Sequence, residues 1–511
     1  MMKRLSHILL STAVLLGGTL AGCYEDKGNY DYHDINEMTV TLLAKNQDGR
    51  VMPIGDGGMC RYKQPSSTDT LRVTYTPEVK QSMATDEANL EYNWKVSYTK
   101  DNKPMIDTIT TKELTLVFPP QQTTFYNVLF KITDISTNLS FYQTLSINTV
   151  KPYINSWLVL NGEKGDCRIS AVEEPDSSAY IFTADAYMDL GNGRRFQEAI
   201  DLIYSPSYLE GSEIEALLIM EADSLSLMSP FDMKVVKKTA QLLPSVILDN
   251  SRQLLYGLDG NVQNPGTVIV DDSRKIYYAD RTKQEYQEFR STDVPNYQVD
   301  KIGEANESSY ICFWDKNQKQ FMYADCGKGS VETFADDTDW ENKEVIWMGA
   351  DNKHDKEAMG IALVKETKTE NYWLYHFHVS GGFSITKENI GKLPIDETSQ
   401  FAVCPMEFEG QLFYTVGSVL YRFFADGKES FELYDAGAPI TQLQFRTSQE
   451  HGLTDYWDYF RCLGIVVDKG KEGELHEVKL DNSGDVISSN VFTGFGPIQD
   501  ICFTFVNRVV S

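Results

Sequence analysis

Cys23 is the residue of this 511-residue chain whose surroundings point to one definite reaction. It ends the run LAGC (residues 20–23), which follows a basic start and a short apolar stretch (residues 8–16). Small residues before the cysteine leave room for a signal peptidase, and its thiol can then accept a diacylglyceryl group. The sequence therefore predicts a lipoprotein signal peptide over residues 1–22 and an acyl lipid anchor on Cys23. The alternative is an ordinary secretory signal in which the cysteine occurs by chance.

Two other groups of residues have the chemistry of metal ligands. His376 and His378 lie two positions apart in a strand-like segment, so both would face the same side of a sheet, where they could share a metal. The acidic run DDTD (residues 336–339) could hold calcium, but it lacks the glycine and the terminal glutamate of an EF-hand loop. The histidines have no visible third ligand, so we expect them to lie on the surface of a strand. We expect the acidic run to be an exposed loop, and we predict no metal site.

Motifs for catalysis were sought in the same way. The sequence contains no Gly-x-Ser-x-Gly elbow, and the glycine-rich run GNGRR (residues 191–195) lacks the Lys-Ser/Thr ending of a phosphate loop. His476 and Glu477 are not followed by the second histidine of a zinc protease. Two carboxylates could still be placed for glycoside hydrolysis, but 74 acidic residues single out no pair. We predict no catalytic residue and no cofactor.

Aromatic residues in loops are the better candidates for ligand binding. Tyr456, Trp457 and Tyr459 lie close together among acidic residues. Trp340 and Trp347 flank a second candidate loop. Aromatic faces stack on sugar rings or on peptide side chains, and acidic neighbours add hydrogen-bond acceptors. These five side chains are the predicted ligand-binding residues. The alternative is that the rings pack inside the fold.

The charge of the chain limits its partners. The sequence has 47 basic and 74 acidic residues, a net charge of −27 at pH 7. Such a surface repels nucleic acid and anionic headgroups, so we predict no nucleic-acid partner. After the signal peptide, no stretch approaches the roughly 20 apolar residues of a spanning helix. We therefore expect a protein that the lipid anchor holds on the membrane without crossing it.

The remaining cysteines are an odd, scattered set without Cys-x-x-Cys spacing. Such a set argues against a disulfide framework and against a zinc ribbon, and most of its members lie in apolar strand-like contexts. The seven residues are Cys60, Cys167, Cys312, Cys326, Cys404, Cys462 and Cys502.

The elements that must position these residues are predicted to be strands. Abundant aromatic residues, 28 Tyr and 25 Phe, favour an all-β fold. Residues 37–150 have the pattern of a small β-sandwich, because residues 38–43 alternate with period two. Trp94 lies in mid-strand, where immunoglobulin-like sandwiches keep a core tryptophan. A further strand (residues 114–118) ends at two prolines, which cannot continue a ladder.

Residues 151–511 contain a repeat. The runs KIYYAD (residues 275–280) and QFMYAD (residues 320–325) lie 45 residues apart, and each follows another β run and a polar turn. A period near 45 in an all-β chain is typical of propeller blades, and this length accommodates about seven. Looser copies of the run are residues 180–185, 372–375 and 411–414.

The repeat is irregular, so alternatives stay open. Residues 249–256 resemble the same run but lie only a short distance before residues 275–280. One blade would then hold two copies of the run. Residues 213–218 could also form a helix. Six or eight blades, a pair of sandwiches and a β-helix remain as alternatives to seven blades.

The start of the mature chain resembles a known family. Residues 23–36 are expected to be a tether, because the positions that follow Cys23 are polar and acidic. Residues 23–32 (CYEDKGNYDY) resemble the start of the PKD-like family lipoproteins of Bacteroidetes. The hairpin that we expect from residues 126–134 and 141–150 is similar to the last hairpin of PKD domains. The acids after Cys23 resemble the export signal that sends such lipoproteins to the outer face of the outer membrane.

This resemblance implies an accessory surface lipoprotein of a SusCD-like uptake system, in which a TonB-dependent transporter works with a lipoprotein lid. The expected partners are that outer-membrane complex and a glycan or oligopeptide nutrient. Two other functions remain open. One is an extracellular propeller glycosidase or lyase, and the other is a structural brace of a transporter complex that binds no cargo.

Overall fold

The structure is a computed structural model of the whole chain. The residues that it describes are 36–46, 51–54, 58–63, 70–84, 87–100, 103–119, 124–150, 153, 156–173, 180–193, 195–207, 214–229, 233–243, 254–257, 267–271, 273–280, 285–291, 294–303, 310–349, 358–378, 382–404, 407–446 and 460–504.

The N-terminal unit consists of two β-sheets. One sheet has the strand order β2-β1-β4-β7, and the other has the order β3-β9-β8-β5-β6. The strands are β1 (Met38–Asn46), β2 (Val51–Pro53), β3 (Met59–Lys63), β4 (Leu71–Gln81), β5 (Leu90–Lys100), β6 (Lys103–Ile109), β7 (Leu114–Phe118), β8 (Phe125–Asp134) and β9 (Leu139–Val150). β7 ends at Phe118, directly before the two prolines that were predicted to end it.

Trp94 lies at the centre of this unit, as its mid-strand position predicted. Its side chain is fully buried and pairs across β5 and β8 with Phe130, at a ring distance of 4.1 Å. The indole Nε1 donates a hydrogen bond of 3.0 Å to the carbonyl of Thr111. Because the polar edge of the ring is satisfied, its whole face is available to the core.

The C-terminal unit contains seven four-stranded antiparallel sheets in the described residues, which we call blades 1 to 7. The all-β fold with a propeller of about seven blades is therefore confirmed. Blade 1 combines β10 (Ser156–Asn161), β11 (Arg168–Glu173) and β12 (Ile181–Thr183) with β37 (Ile498–Thr504). The other blades are formed by consecutive strands: β13 (Ala199–Ser207), β14 (Ile214–Glu221), β15 (Ser224–Met228) and β16 (Val235–Lys238) in blade 2; β17 (Leu254–Gly257), β18 (Thr267–Val270), β19 (Ile276–Asp280) and β20 (Glu285–Glu288) in blade 3; β21 (Val299–Gly303), β22 (Tyr310–Asp315), β23 (Gln320–Asp325) and β24 (Ser330–Thr333) in blade 4; β25 (Lys343–Gly349), β26 (Ala358–Glu366), β27 (Asn371–His378) and β28 (Ser384–Gly391) in blade 5; β29 (Phe401–Ala402), β30 (Gln411–Val416), β31 (Val419–Phe424) and β32 (Glu429–Asp435) in blade 6; β33 (Ile440–Phe445), β34 (Cys462–Asp468), β35 (Gly473–Leu480) and β36 (Val486–Phe492) in blade 7.

The blades close into a ring. Seven clusters of buried apolar residues each join one blade to the next, and one of them joins blade 7 to blade 1. Closure depends on β37, the last strand of the described chain, which pairs antiparallel with β10 and completes the four strands of blade 1. A sheet closed in this way has no open edge where the two ends of the repeat meet.

The first strand of each blade lies toward the axis of the ring. First strands of neighbouring blades approach one another, as β13 does with β37 and with β17, whereas fourth strands such as β16 and β32 are largely exposed. In blade 1 the position of the first strand is taken by β37.

The repeat in the sequence corresponds mainly to the third strand of the blades. Residues 275–280 and 320–325 form β19 and β23, and residues 249–256 reach into β17 of the same blade as β19. Two looser copies were misassigned, because residues 411–414 lie in a second strand, β30, and residues 180–185 contain a fourth strand, β12. Aromatic strands occur at more than one position of a blade. Similar runs in the sequence therefore do not always correspond to the same strand of the blade.

Three further expectations can be compared with the structure. Residues 214–221 form β14, so the segment that could also form a helix is a strand. The seven predicted core cysteines are buried as thiols. The described part of the chain contains two one-turn helices, α1 (Ala186–Asp189) and α2 (Thr239–Leu242), and no helix there is long and apolar enough to cross a membrane.

Candidate functional site at the axis of the propeller

Four of the predicted functional residues lie outside the described residues. They are Cys23, the predicted site of lipid attachment, and the loop aromatics Tyr456, Trp457 and Tyr459. Their roles stay predictions. The predicted signal peptide and tether, residues 1–22 and 23–36, also lie outside the described residues except for Asn36.

Trp340 packs between blades 4 and 5. It belongs to the segment that leads from β24 to β25, and its ring is half-buried. The ring lies 4.3 Å from that of Trp314, 5.3 Å from that of Phe321 and 5.9 Å from that of Tyr375. This arrangement corresponds to the alternative in which the aromatic residues pack inside the fold.

The acidic run before Trp340 is paired within the protein. The ammonium group of Lys387 lies 2.8 Å from Asp336 and 2.7 Å from Asp337. Thr338 donates to Asp336 from both its backbone nitrogen and its hydroxyl group. The hydrogen bond from Lys387 holds the pKa of Asp337 below its usual range. Lys387 is thus the cation that Asp336 and Asp337 contact in the described residues.

Trp347 lies on the first strand of blade 5, in a different cluster from Trp340. Its half-buried ring is 5.8 Å from that of Phe401, on the first strand of blade 6. Gly349 makes room for the indole, because a Cβ atom at that position would meet the ring at 2.2 Å. The structure therefore does not bring the two predicted tryptophans together, but it places Trp347 on the inner side of the ring.

The two histidines of β27 have different surroundings. His376 is buried at 5% exposure, so it is not on the surface as we expected, whereas Nε2 of His378 lies 2.9 Å from the hydroxyl group of Thr386. Across the described residues, no three His, Cys, Asp or Glu side chains come together in a way that could hold a metal ion.

A β-bulge recurs in five first strands, each time between a residue and the second residue after it. The register shifts occur between Ala199 and Asp201, Val299 and Lys301, Val345 and Trp347, Ile440 and Gln442, and Ile498 and Asp500. Bulges re-aim the side chains beside them and are over-represented next to functional sites. We call the five residues that follow the bulges the axial residues: Asp201, Lys301, Trp347, Gln442 and Asp500.

Three axial residues meet at the closure of the ring. Gln442 of blade 7 donates from Nε2 to Asp500 of blade 1 at 2.6 Å. The backbone nitrogens of Ile501 and of Leu202, in blade 2, donate to the same carboxyl group at 2.8 and 2.7 Å. The side chain of Asp201 is also hydrogen-bonded to it. One carboxyl group thus links three neighbouring blades.

Burial raises the pKa of Asp500 above its ordinary value, and the hydrogen bonds that its carboxyl group accepts from Gln442, Leu202 and Ile501 oppose this shift.

A second polar group is buried where blade 7 packs on blade 1. Glu477 and Arg446 form an ion pair in which both side chains are almost completely buried, at 0% and 2% exposure. Trp157 donates from Nε1 to Glu477 at 2.8 Å, and the hydroxyl group of Tyr180 donates to it at 2.5 Å. The guanidinium group of Arg446 also lies 4.2 Å from the ring centre of Phe503, on β37.

The axial acids were not among the predicted site residues, although they leave a weak signal in the sequence. Three first strands share the order apolar, any residue, polar, apolar: AIDL (residues 199–202), ITQL (residues 440–443) and IQDI (residues 498–501). This signal becomes visible when the first strands of the blades are compared with one another. The aromatic repeat in the sequence belongs mainly to the third strands and does not show it. The bulge before the polar residue depends on how the first strand pairs with the second strand. The four-residue pattern carries no information about this pairing.

Comparison with known proteins gives one match to a family. Residues 23–199 match the PKD-like family, so the N-terminal part of the chain carries a PKD-like family domain. The match begins at the predicted lipid-bearing Cys23 and extends into the first strand of blade 2. A search of curated proteins found no match.

Similar solved structures are distant in sequence. A quinonprotein alcohol dehydrogenase-like protein from Bacteroides thetaiotaomicron is 13% identical, over 90% of this chain and 99% of that one, with a TM-score of 0.42. PorZ, a surface component of the type-IX secretion system of Porphyromonas gingivalis, is 11% identical, over 66% of this chain and 39% of that one, with a TM-score of 0.39. A Synechocystis apocarotenoid oxygenase mutant is 10% identical, over 70% and 94%, with a TM-score of 0.40.

Proposed function

We propose that the protein is a lipid-anchored binding protein on the outer face of the outer membrane. It captures a glycan or an oligopeptide there and docks as an accessory subunit on a TonB-dependent, SusCD-like transporter. The signal sequence before Cys23 and the start of the family match at that residue support the anchor. An anchor confines the protein near its transporter and so raises the effective concentration of each for the other.

The set of axial residues is the observation that carries the proposed binding role. Trp347 and Phe401 offer half-buried aromatic faces on the inner side of the ring. Gln442 and Lys301 add an amide and an ammonium group on other first strands. Aromatic faces combined with a few fixed polar groups are typical of sites for sugars and peptides.

The binding role can be tested by isothermal titration of the purified protein with neutral oligosaccharides and with oligopeptides. We expect heat with one of these classes, and we expect Trp347→Ala to weaken binding at least tenfold while circular dichroism shows an unchanged fold. Phe431→Ala is the control, because this residue is 44% exposed on a fourth strand, away from the axis. Absence of heat with every ligand would favour the structural brace, and unchanged binding by Trp347→Ala would place the site elsewhere.

The anchor and the partner can be tested in cells. We expect Cys23→Ser to abolish labelling by radioactive palmitate and to release the protein from the membrane fraction. The acylated protein should co-purify with a TonB-dependent transporter from detergent-solubilised outer membrane. Purification of the native protein without acyl chains, or without any transporter, would contradict the corresponding part of the proposal.

A further inference from the structure

Asn36 fixes the point at which the predicted tether joins the N-terminal unit. Its side chain is buried, at 5% exposure, and its Nδ2 donates to Gln81 at 2.7 Å and to Asp134 at 2.9 Å. Its Oδ1 accepts from the backbone nitrogen of Met83 at 3.1 Å. Gln81 ends β4 and Asp134 ends β8, so both sheets of the unit are tied to the start of the described chain by one side chain.

Three large apolar side chains are exposed at this same end of the unit. Met83 is 59% exposed, Ile135 is 56% exposed and Leu139 is 42% exposed. Ile135 directly follows β8 and Leu139 begins β9, so both lie at the hairpin that joins these strands. We call these three residues the apolar tip. A group of exposed apolar side chains marks a contact surface, whereas a single one does not.

We propose that the apolar tip docks on the lipid surface to which Cys23 is attached, at the boundary between the headgroups and the acyl chains. This inference rests on the lipid anchor of the proposed function. Asn36 lies 13 positions after Cys23, so the chain between them spans at most about 45 Å. Because the tether joins the unit beside the apolar tip, the anchor keeps the tip within reach of the bilayer.

The charge of the N-terminal unit permits this contact. Residues 36–150 carry 11 basic and 12 acidic side chains, whereas the whole chain has a net charge of −27. An anionic leaflet therefore repels this unit far less than it repels the chain as a whole.

An aromatic residue and a lysine flank the apolar tip. Tyr142 is three residues farther along β9 than Leu139 and is 57% exposed. The ammonium group of Lys131, on β8, lies 5.7 Å from the centre of the Tyr142 ring. Tyrosine is enriched at membrane–water interfaces, and lysine can bury its apolar stem there while its charge stays in water.

The small size of the apolar tip determines how docking must be measured. Three partly exposed side chains hold a protein on a membrane only weakly without a further attachment. The anchor supplies that attachment, because it raises the effective concentration of the bilayer at the tip. We therefore expect docking to be visible on the attached protein.

The experiment couples the mature chain, residues 23–511, to vesicles by chemistry, so it does not depend on acylation in cells. The seven other cysteines are buried thiols, which lets a maleimide lipid react selectively at Cys23. The vesicles contain this lipid in phosphatidylcholine, with or without bromine on the acyl chains. Bromine quenches tryptophan fluorescence at short range. We expect it to reduce the fluorescence that Ile135→Trp adds to the wild-type signal by about half, because the tip reaches the acyl boundary.

Ile106→Trp is the matched control within the same unit. Ile106 is 67% exposed, more than any residue of the tip, and it lies opposite Ser97 on β5. On the same strand Leu90 lies opposite Asp134, so the control is seven residues away from the tip. That separation is about 23 Å, which is farther than an interfacial element inserts. We expect bromine to leave the fluorescence added by Ile106→Trp unchanged.

The outcomes separate the tip from the anchor. Equal quenching at both positions, or none in Ile135→Trp, would overturn docking of the tip, and cross-linking of an unquenched tip to a transporter would assign the surface to a protein. An unacylated Cys23 in cells would contradict the anchor, whereas quenching on the chemically attached chain would still support the tip.

Hydrogen exchange provides a second measurement without a new tryptophan. Residues 134–139 of the attached wild-type chain should exchange several-fold more slowly on vesicles than in solution. The triple variant Met83→Ser, Ile135→Ser, Leu139→Ser should show the same exchange in both states, with circular dichroism confirming its fold. β6 should show no change in either protein. Equal exchange of residues 134–139 in the attached and the free wild type would also overturn the proposal.

Discussion

At the scale of single residues, the most consequential contact is the buried ion pair of Arg446 and Glu477. Removing both charges from water is costly, and the structure offsets this cost with hydrogen bonds from Trp157 and Tyr180. The stability of this ion pair therefore depends on both charged residues and on the two hydrogen-bond donors. It lies between blades 7 and 1, where the ring must close, so its loss affects the closure itself.

Arg446→Ala should destabilise the propeller by about 3–5 kcal/mol, because it removes the buried cation of Glu477 and leaves only the partly exposed Lys479, at 3.9 Å. Denaturant unfolding of the full chain gives the measurement. Lys392→Ala is the control, since the ion pair of Lys392 with Glu370 is exposed and its loss should cost less than about 1 kcal/mol.

The double variant Arg446→Met, Glu477→Gln distinguishes charge from packing. Because neither charge remains, it should be more stable than Arg446→Ala alone. A loss below about 1 kcal/mol for Arg446→Ala would contradict this account, since exposed pairs alone have such small effects.

At the scale of elements, β34 passes unusually close to the tryptophan of the neighbouring blade. A Cβ atom on Gly464 would lie 2.6 Å from Cη2 of Trp157 and 3.0 Å from Cδ1 of Ile501. Both side chains are fully or almost fully buried, so neither can move aside freely. The missing side chain on β34 thus lets blade 7 approach blade 1.

Gly464→Ala should cost about 1–3 kcal/mol, the usual effect of an additional group in a well-packed core. The measurement is the midpoint of denaturant unfolding. Gly193→Ala provides the comparison, because a Cβ atom there meets nothing within 4 Å and its effect should stay within about 0.5 kcal/mol. Equal stabilities of the two variants would contradict tight packing between blades 7 and 1 at Gly464.

Elements were also the level at which the sequence predicted best. The alternation in β1 and the aromatic residues of β19 and β23 reflect which faces are buried, and burial is written directly into residue type. The position of Trp347 was harder to predict, because a half-buried aromatic residue looks the same in sequence whether it packs or binds. The hydrogen bond from the backbone of Leu202 to Asp500 joins residues 298 positions apart, so no local pattern contains it.

At the scale of the whole propeller, one strand completes the ring. β37 supplies the innermost strand of blade 1, the carboxyl group of Asp500 and the ring of Phe503 that faces Arg446. No other blade in the described residues takes strands from both ends of the unit. The cooperativity of the seven blades should therefore depend on this strand.

Deletion of residues 498–511 should abolish the cooperative thermal transition of the propeller, because blade 1 then has an open edge and the boundary with blade 7 loses its apolar partners. Circular dichroism and binding of a hydrophobic dye provide the measurements. Deletion of residues 505–511 alone keeps β37 and should leave the transition in place. A normal transition in the longer deletion would contradict a closing role for this strand.

The order of synthesis gives the closing strand one more consequence. β10 leaves the ribosome more than 300 residues before β37, so its edge has no partner during nearly all of translation. A blade 1 that formed early would expose an unpaired margin until synthesis ends. The seven-bladed body can therefore reach its final form only after its last strand has been made.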